Sequence, residues 1–136
     1  MRSPDLARDY IRRASIRLEV LDLLFRAESW ADVVRESQEV VELALKALLR
    51  SHGIDPPGLH DVSEVLLAER TRFPEPLQEE LPALAEISRQ FRRDLELAFY
   101  GAEDLTPSGF YSEADAREAR EWARRVVRAV SPHVGP

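Results

Sequence analysis

Four arginines near the C-terminal end of this 136-residue chain have the type and spacing needed to bind phosphates. They recur at intervals of three and four residues and so share one face of a helix: Arg117, Arg120, Arg124 and Arg128. Guanidinium groups in such a row can hold phosphate oxygens through paired hydrogen bonds. The alternative is a solvated charged face, because Glu113 and Glu121 each lie four residues before an arginine and favour ion pairs along the helix. The spacing alone leaves both interpretations open.

A second group of arginines, Arg89, Arg92 and Arg93, lies earlier in the chain, where Asp94 and Glu96 dilute its charge. If the two groups lie on neighbouring helices, they combine into one basic patch. The net charge of the whole chain is −6, so no overall positive field attracts nucleic acid. Any phosphate binding must therefore be local.

Lys46 is the single lysine among 19 basic residues, and it belongs to a polar row on an otherwise apolar stretch. Gln38 and Glu42 precede it at intervals of four residues, which places the three side chains on one helix face. One interpretation is an ion pair between Lys46 and Glu42, with the lysine stem covering apolar surface. The other is that the three side chains line a groove or a contact across a two-fold axis.

The chain has three histidines, His52, His60 and His133, and none has the spacing of a metal ligand. His60 follows a Pro-Pro-Gly-Leu turn and precedes an aspartate, where it could simply cap the next helix. Arg128 and His133 form an arginine–histidine pair separated by four residues. Such a pair could supply acid–base chemistry, although Ser-Pro at 131–132 interrupts the helix that would turn both groups towards one substrate.

The motifs of the commonest cofactor and hydrolase sites are missing. There is no Glu-x-x-His pair, His-Glu-x-x-His, Gly-x-x-x-x-Gly-Lys-Ser/Thr, Gly-x-Gly-x-x-Gly or Gly-x-Ser-x-Gly. Zero cysteines exclude disulfides, zinc ribbons, iron–sulfur clusters and thiol catalysis. No apolar run approaches the roughly 18 residues of a membrane span, and the charged N-terminal residues are unlike a signal sequence. We therefore expect a cytoplasmic protein with no cofactor, no metal and no membrane partner.

Helices must position these side chains, because apolar residues recur with helical spacing between the glycines and prolines. Five helices are predicted, over about residues 4–27, 30–51, 61–69, 73–99 and 112–130. Pro82 must kink or split the fourth. Ser29 with Asp32 predicts a capping box before the second helix, and Ser112 is the predicted cap of the last. The pattern predicts one all-α domain over residues 1–136, an up-and-down bundle of four to five helices.

Two of the predicted helices carry more apolar surface than one packed face needs. The second has Val34 and Val41 on one face and Val33 and Val40 on another, so we expect it to be buried on both sides at the centre of the bundle. The first has surplus apolar residues that indicate a second buried surface: Ile16, Val20, Leu23 and Leu24.

Two longer stretches of the sequence resemble those of a known protein family. Residues 37–49, SQEVVELALKALL, are followed after a loop by His60 and Asp61, and residues 96–101, ELAFYG, are followed by Glu103-Asp104, Pro107, Tyr111 and alanines at 114, 116, 119 and 123. The first stretch resembles the second-helix signature of HEPN domains, small helical bundles found beside minimal nucleotidyltransferases. The later stretch is similar to the fourth and fifth helices of the same family. The resemblance extends over about residues 5–130.

The resemblance implies a homodimeric bundle that binds nucleotide or RNA and acts with a nucleotidyltransferase encoded as a separate chain, in some cases as a toxin–antitoxin-type pair. No glycine-serine motif followed by an aspartate pair is present, so we expect the minimal nucleotidyltransferase chain to be a partner. On this hypothesis a groove presents the following side chains to nucleotide phosphate and base: Glu42, Lys46, His60, Arg92, Arg93 and Tyr100.

Some HEPN members are ribonucleases, in which an arginine and a histidine four to six residues apart on a late helix cut RNA across the dimer interface. Here no histidine follows the arginines of residues 89–93 at that distance. The resemblance therefore implies the non-cleaving type, with no catalytic residue. The alternative is a metal-independent ribonuclease toxin that uses Arg128 with His133, or else His60, for acid–base chemistry.

Overall fold

The computed structural model describes residues 4–58, 62–100 and 107–134. Their α-helices, in chain order, are α1 (Pro4–Arg26), α2 (Trp30–Ser51), α3 (Ser63–Ala68), α4 (Glu75–Gln78), α5 (Leu81–Tyr100), α6 (Pro107–Phe110) and α7 (Glu113–Val130). Single 3-10 turns follow α3 at Arg70–Arg72 and α7 at Ser131–His133. No strand occurs in these three segments, so the predicted all-α bundle is confirmed. Its long helices are α1, α2, α5 and α7.

Helix α2 lies at the centre of the bundle, and the prediction that it is buried on both sides is confirmed. Val33 and Val40 are fully buried, and Val34 and Val41 are almost fully buried. Both α1 and α7 pack along it. Burial of these apolar faces is the main source of stability for a bundle of this kind.

Two contacts show that α1 and α2 run antiparallel. Arg17 in the middle of α1 forms an ion pair with Glu36 in the first half of α2, with 3.2 Å between Nη1 and Oε1. At the other end of α2, Arg50 lies over the ring of Tyr10, with 6.0 Å between the guanidinium carbon and the ring centroid. The two helices therefore keep a fixed register.

The capping predicted at Ser112 is confirmed, and the capping box predicted at Ser29 is wrong. The backbone N–H of Asp115 donates to Ser112 Oγ at 3.2 Å, and the backbone N–H of Ser112 donates to Asp115 Oδ2 at 2.8 Å. Ser29 has a ψ of 71° instead of the extended backbone of an N-cap, so its hydroxyl donates to Asp32 Oδ2 at 2.5 Å. In the turn just before Ser29, Glu28 adopts a left-handed φ of 59°.

The fourth predicted helix, over 73–99, is divided in the structure. Helix α4 covers only Glu75–Gln78, and α5 begins at Leu81. Pro82 is the second residue of α5, where a missing backbone N–H costs no hydrogen bond. The proline therefore splits the predicted segment by starting a helix, and it does not kink one.

Candidate functional site

One side of α7 packs against α1, and its arginines hold this contact together. We term this region the α1–α7 seam; it consists of Asp22, Phe25, Arg117, Arg120 and Arg124. Asp22 Oδ1 accepts hydrogen bonds from Arg120 at 3.4 Å and from Arg124 at 2.7 Å. The guanidinium carbon of Arg120 lies 3.8 Å from the ring centroid of Phe25, and that of Arg117 lies 5.8 Å from it. Because Phe25 covers its guanidinium group and Asp22 accepts its hydrogen bond, Arg120 serves the contact between the two helices.

The ion pairs predicted along α7 are confirmed at one position and wrong at another. Glu113 and Arg117 form the predicted pair, with 3.2 Å between Oε2 and Nη2. Glu121 pairs with Arg124 at 2.5 Å, three residues later, and not with Arg125. Arg124 also forms an ion pair with Asp22, so it bridges the two acids. Arg125 is left without an ion pair among the residues that the structure describes.

The other side of α7 lines a cleft of about 670 Å³. We term it the α7 cleft; its lining residues are Pro76, Glu80, Glu121, Trp122, Arg125, Arg128, Ala129 and His133. Arg128, the fourth arginine of the predicted row, therefore lies in the cleft and outside the seam. The interruption of the helix predicted at Ser-Pro 131–132 is confirmed, because α7 ends at Val130. A 3-10 turn over Ser131–His133 follows directly, so His133 nevertheless lines the same cleft as Arg128.

Trp122 forms the aromatic wall of the α7 cleft. Its ring contacts that of Phe91 on α5 edge to face, with 5.4 Å between the centroids and 85° between the planes. Pro76 of α4 and Glu80, just before α5, contribute the lining from a distant part of the chain. The cleft is therefore a tertiary feature that no single stretch of sequence contains.

A third candidate region, the α2 polar row, consists of Gln38, Glu42 and Lys46. Lys46 Nζ donates to Glu42 Oε1 at 2.9 Å, so the predicted ion pair is confirmed. The side chains of Lys46 and Glu42 are 27% and 13% exposed, and Gln38 is 8% exposed. Within the described part of the chain, Gln38 Nε2 has no hydrogen-bond partner. Arg35 is exposed and lies three residues before Gln38 on the same helix face. The prediction from sequence missed this residue, although its spacing indicates that it belongs to the row.

The seam, the cleft and the polar row all lie within the part of the chain that matches one protein-family model. The family model described as HEPN domain matches residues 7–133. The chain belongs to the HEPN family. Comparison with curated proteins and with solved structures gave no match. Membership of the HEPN family supports a module whose function is related to nucleotide or RNA.

In this HEPN domain, the structure brings together some of the predicted binding residues. The α2 polar row holds two of them, Glu42 and Lys46, in direct contact. On α5, which also packs against α2, Arg92 is half-buried and Arg93 is exposed. Tyr100 is the last residue of α5, and its side chain lies outside the described part of the chain. His60 lies outside the described residues altogether.

His52 has a structural role in the HEPN domain. Its Nδ1 lies 2.9 Å from the carbonyl oxygen of Leu48, and its ring contacts Phe73 edge to face with 5.0 Å between the centroids. Arg72 donates a hydrogen bond to its backbone carbonyl at 2.8 Å. Among residues 4–58, 62–100 and 107–134, no group of three or more histidine, aspartate and glutamate side chains could hold a metal ion.

Four apolar side chains form an exposed stripe along α1 of the HEPN domain. This α1 stripe consists of Leu6, Ile16, Val20 and Leu23, which are 36%, 49%, 38% and 58% exposed. Leu24, which the sequence added to this surface, packs against the core instead. Helical periodicity places the stripe opposite the buried residues Ala7, Ala14 and Leu21. Of the helices that the structure describes, none combines the length and apolar character needed to cross a membrane.

Proposed function

We propose that this HEPN domain binds nucleotide or RNA without cleaving it, as a homodimer, together with a separately encoded minimal nucleotidyltransferase. The observation that carries the binding proposal is the α2 polar row. Its three side chains lie within residues 37–49, the stretch that resembles the HEPN signature. The rest of α2 is largely apolar and buried, so a polar row on this helix is suited to meet a polar ligand.

Gln38 supports a ligand that comes from outside the fold. It is 8% exposed, and its Nε2 has no hydrogen-bond partner among the described residues. An unsatisfied buried donor costs roughly 1–3 kcal/mol. Because Nε2 is itself buried, the Gln38 side chain must turn outwards before a phosphate oxygen or a base acceptor can satisfy this donor. Lys46 and Arg35 supply positive charge, and Glu42 can accept hydrogen bonds from base amino groups.

Calorimetric titration of the purified protein with ATP, GTP and a short single-stranded RNA tests the proposal. We expect binding by the wild type and an affinity about tenfold lower for Lys46→Gln, because this change removes a charge-assisted hydrogen bond. Arg26→Gln is the matched control, since it removes one positive charge at an exposed position in the last turn of α1. The proposal is wrong if none of the three ligands binds, or if Lys46→Gln binds as tightly as the wild type.

Gln38→Leu separates binding from folding. The leucine has no unsatisfied donor, so we expect the free energy of unfolding to rise by about 1 kcal/mol while ligand binding weakens. Urea denaturation and the same calorimetric titration measure the two effects. A variant that is less stable and binds normally would show that the amide serves the fold and not a ligand.

The α1 stripe supports the homodimer, with a second copy of the chain as its occupant. Exposed Arg13 and Glu19 lie three residues before and after Ile16. In an antiparallel contact between two copies of α1 centred on Ile16, Arg13 of one copy lies level with Glu19 of the other. The surface is therefore self-complementary in charge as well as in apolar character, as a two-fold interface requires.

Light scattering after gel filtration tests the homodimer. We expect the mass of a dimer for the wild type and of a monomer for Leu23→Glu, because the substitution places a charge in the apolar contact. Ser15→Glu adds the same charge to another exposed position of α1 and should leave the dimer intact. A wild type that is monomeric at every concentration would contradict this part of the proposal.

The nucleotidyltransferase partner rests on family membership and on the missing transferase motif. We expect a gene for a minimal nucleotidyltransferase beside that of this chain, and coexpression of the two chains should yield a complex that survives gel filtration. If the two act as a toxin–antitoxin-type pair, expression of this chain alone slows growth and coexpression restores it. Two chains that elute separately would contradict the partnership.

A metal-independent ribonuclease is the second candidate function, because the structure brings Arg128 and His133 to one cleft. Incubation of labelled RNA with the protein in a chelator distinguishes the two candidates. The non-cleaving proposal predicts intact RNA. Cleavage that is lost in His133→Ala or His60→Ala would replace that proposal with the ribonuclease.

A further inference from the structure

The α7 cleft contains positive charge that the fold does not use. Arg125 and Arg128 are exposed and one helical turn apart, and neither forms an ion pair with any residue that the structure describes. On the seam side of the same helix, Arg120 and Arg124 both bind Asp22. A ligand from solution can therefore bind the two cleft arginines without breaking a contact within the described chain.

The acidic residues of the α7 cleft leave its charge positive. Glu121 accepts a hydrogen bond from Arg124 at 2.5 Å, which offsets its charge. Glu80 is exposed and is the remaining acid in the lining. Because Arg125 and Arg128 outnumber Glu80, the cleft favours an anion beside α7 and a hydrogen-bond donor beside Glu80.

The apolar part of the α7 cleft suits a flat ring. Trp122 is held in place by its contact with Phe91, and Ala129 and Pro76 extend the apolar lining. An aromatic wall with a fixed orientation binds a ring without a large cost in side-chain ordering. The volume of about 670 Å³ falls within the roughly 300–1,000 Å³ of pockets that hold small organic ligands, so a ring and a phosphate fit together.

We propose that the α7 cleft binds a molecule that has both a terminal phosphate monoester and a planar ring, of which a nucleoside 5′-monophosphate is the simplest example, free or as the 5′ end of an RNA. Arg125 and Arg128 hold the phosphate oxygens, and His133 donates a further hydrogen bond. The ring lies against Trp122, and Glu80 accepts from its amino group. Because the cleft is distinct from the α2 polar row, this inference goes beyond the proposed function and each can fail alone.

Tryptophan fluorescence reports binding at the cleft. The chain has two tryptophans, Trp30 and Trp122, so Trp30→Phe leaves Trp122 as the single reporter. We expect AMP to change its emission and to bind about tenfold more tightly than adenosine, which lacks the phosphate, or than ribose 5-phosphate and inorganic phosphate, which lack the ring. Equal affinity for AMP and adenosine, or no binding of AMP, would overturn the proposal.

Substitutions locate the site. Arg125→Gln combined with Arg128→Gln should lower the affinity for AMP by about tenfold or more, as measured by calorimetry on the full chain. Arg26→Gln, which removes one exposed positive charge at the C-terminal end of α1, should leave it unchanged. AMP binding that survives the double substitution, or that is lost equally in Arg26→Gln, would overturn the assignment to the cleft.

A last comparison identifies the source of the phosphate. Oligonucleotides of one RNA sequence with a 5′-phosphate and with a 5′-hydroxyl are titrated beside AMP. Tighter binding of the phosphorylated RNA than of AMP assigns the cleft to an RNA end, and the reverse assigns it to a free nucleotide. Equal binding of the two oligonucleotides, with no binding of AMP, would contradict recognition of a terminal phosphate.

Discussion

Arg124 and Arg125 are adjacent on α7, and they have the same chemistry in different surroundings. Arg124 is held by Asp22 at 2.7 Å and by Glu121 at 2.5 Å, within the α1–α7 seam. Arg125 lines the α7 cleft and has no ion pair among the described residues. The seam therefore uses its arginines to join two helices, whereas the cleft presents them to solution. The role of an arginine is decided by the side chains that the tertiary fold places beside it.

The largest expected effect comes from breaking the seam at Phe25. Phe25→Ala removes its ring contacts with Arg120 and Trp30, and we expect the free energy of unfolding to fall by about 2–3 kcal/mol, less than for a fully buried phenylalanine. Urea denaturation measures the loss. Phe25→Leu keeps the apolar volume and should lose only the cation–π part, about 0.5–1 kcal/mol. If Phe25→Ala is as stable as the wild type, the seam does not stabilise the bundle.

A smaller loss is expected from Asp22→Asn, which removes the charge that two arginines share. We expect a fall of about 1 kcal/mol in the free energy of unfolding at low salt, and a smaller fall at high salt, because ions screen exposed pairs. Glu113→Gln, which breaks an exposed pair with Arg117 only, is the control and should cost less than about 0.5 kcal/mol. A loss that does not depend on salt would show that Asp22 acts through packing or neutral hydrogen bonds.

The smallest effect on stability is expected in the cleft. Arg125→Gln combined with Arg128→Gln should change the free energy of unfolding by less than about 0.5 kcal/mol, because neither residue contacts a charged partner in the described chain. The same urea denaturation applies. A loss of about 1 kcal/mol or more would show that these arginines stabilise the fold, and it would remove the difference between the two sides of α7.

Local signals predicted much of the fold. Helix α2 has the predicted bounds, and α1 and α7 differ from theirs by one residue, because periodicity, prolines and the Ser112 cap act within a few residues. The absence of a capping box at Ser29 could not be predicted in the same way. The backbone there has a left-handed φ of 59° at Glu28 and a ψ of 71° at Ser29, and spacing along the sequence does not reveal such angles.

The candidate sites were less predictable, because spacing along a helix shows only which side chains share a face. Asp22, the partner that divides the arginine row, lies 98 and 102 residues before the arginines that it binds. The α7 cleft likewise needs Pro76 and Glu80 to meet the last helix. The ion pair between Glu42 and Lys46 was predictable, since both residues lie on one helix, one turn apart.

The claim that the two sides of α7 have separate roles is tested most directly by thermal denaturation of Arg124→Gln and of Arg125→Gln, each with and without AMP. We predict that Arg124→Gln lowers the Tm of the free protein by about 3 °C and keeps the rise that AMP causes in the wild type. Arg125→Gln should keep the Tm of the free protein and lose most of that rise. If both substitutions lower the Tm of the free protein equally, or both leave the effect of AMP unchanged, the two sides of α7 do not have separate roles.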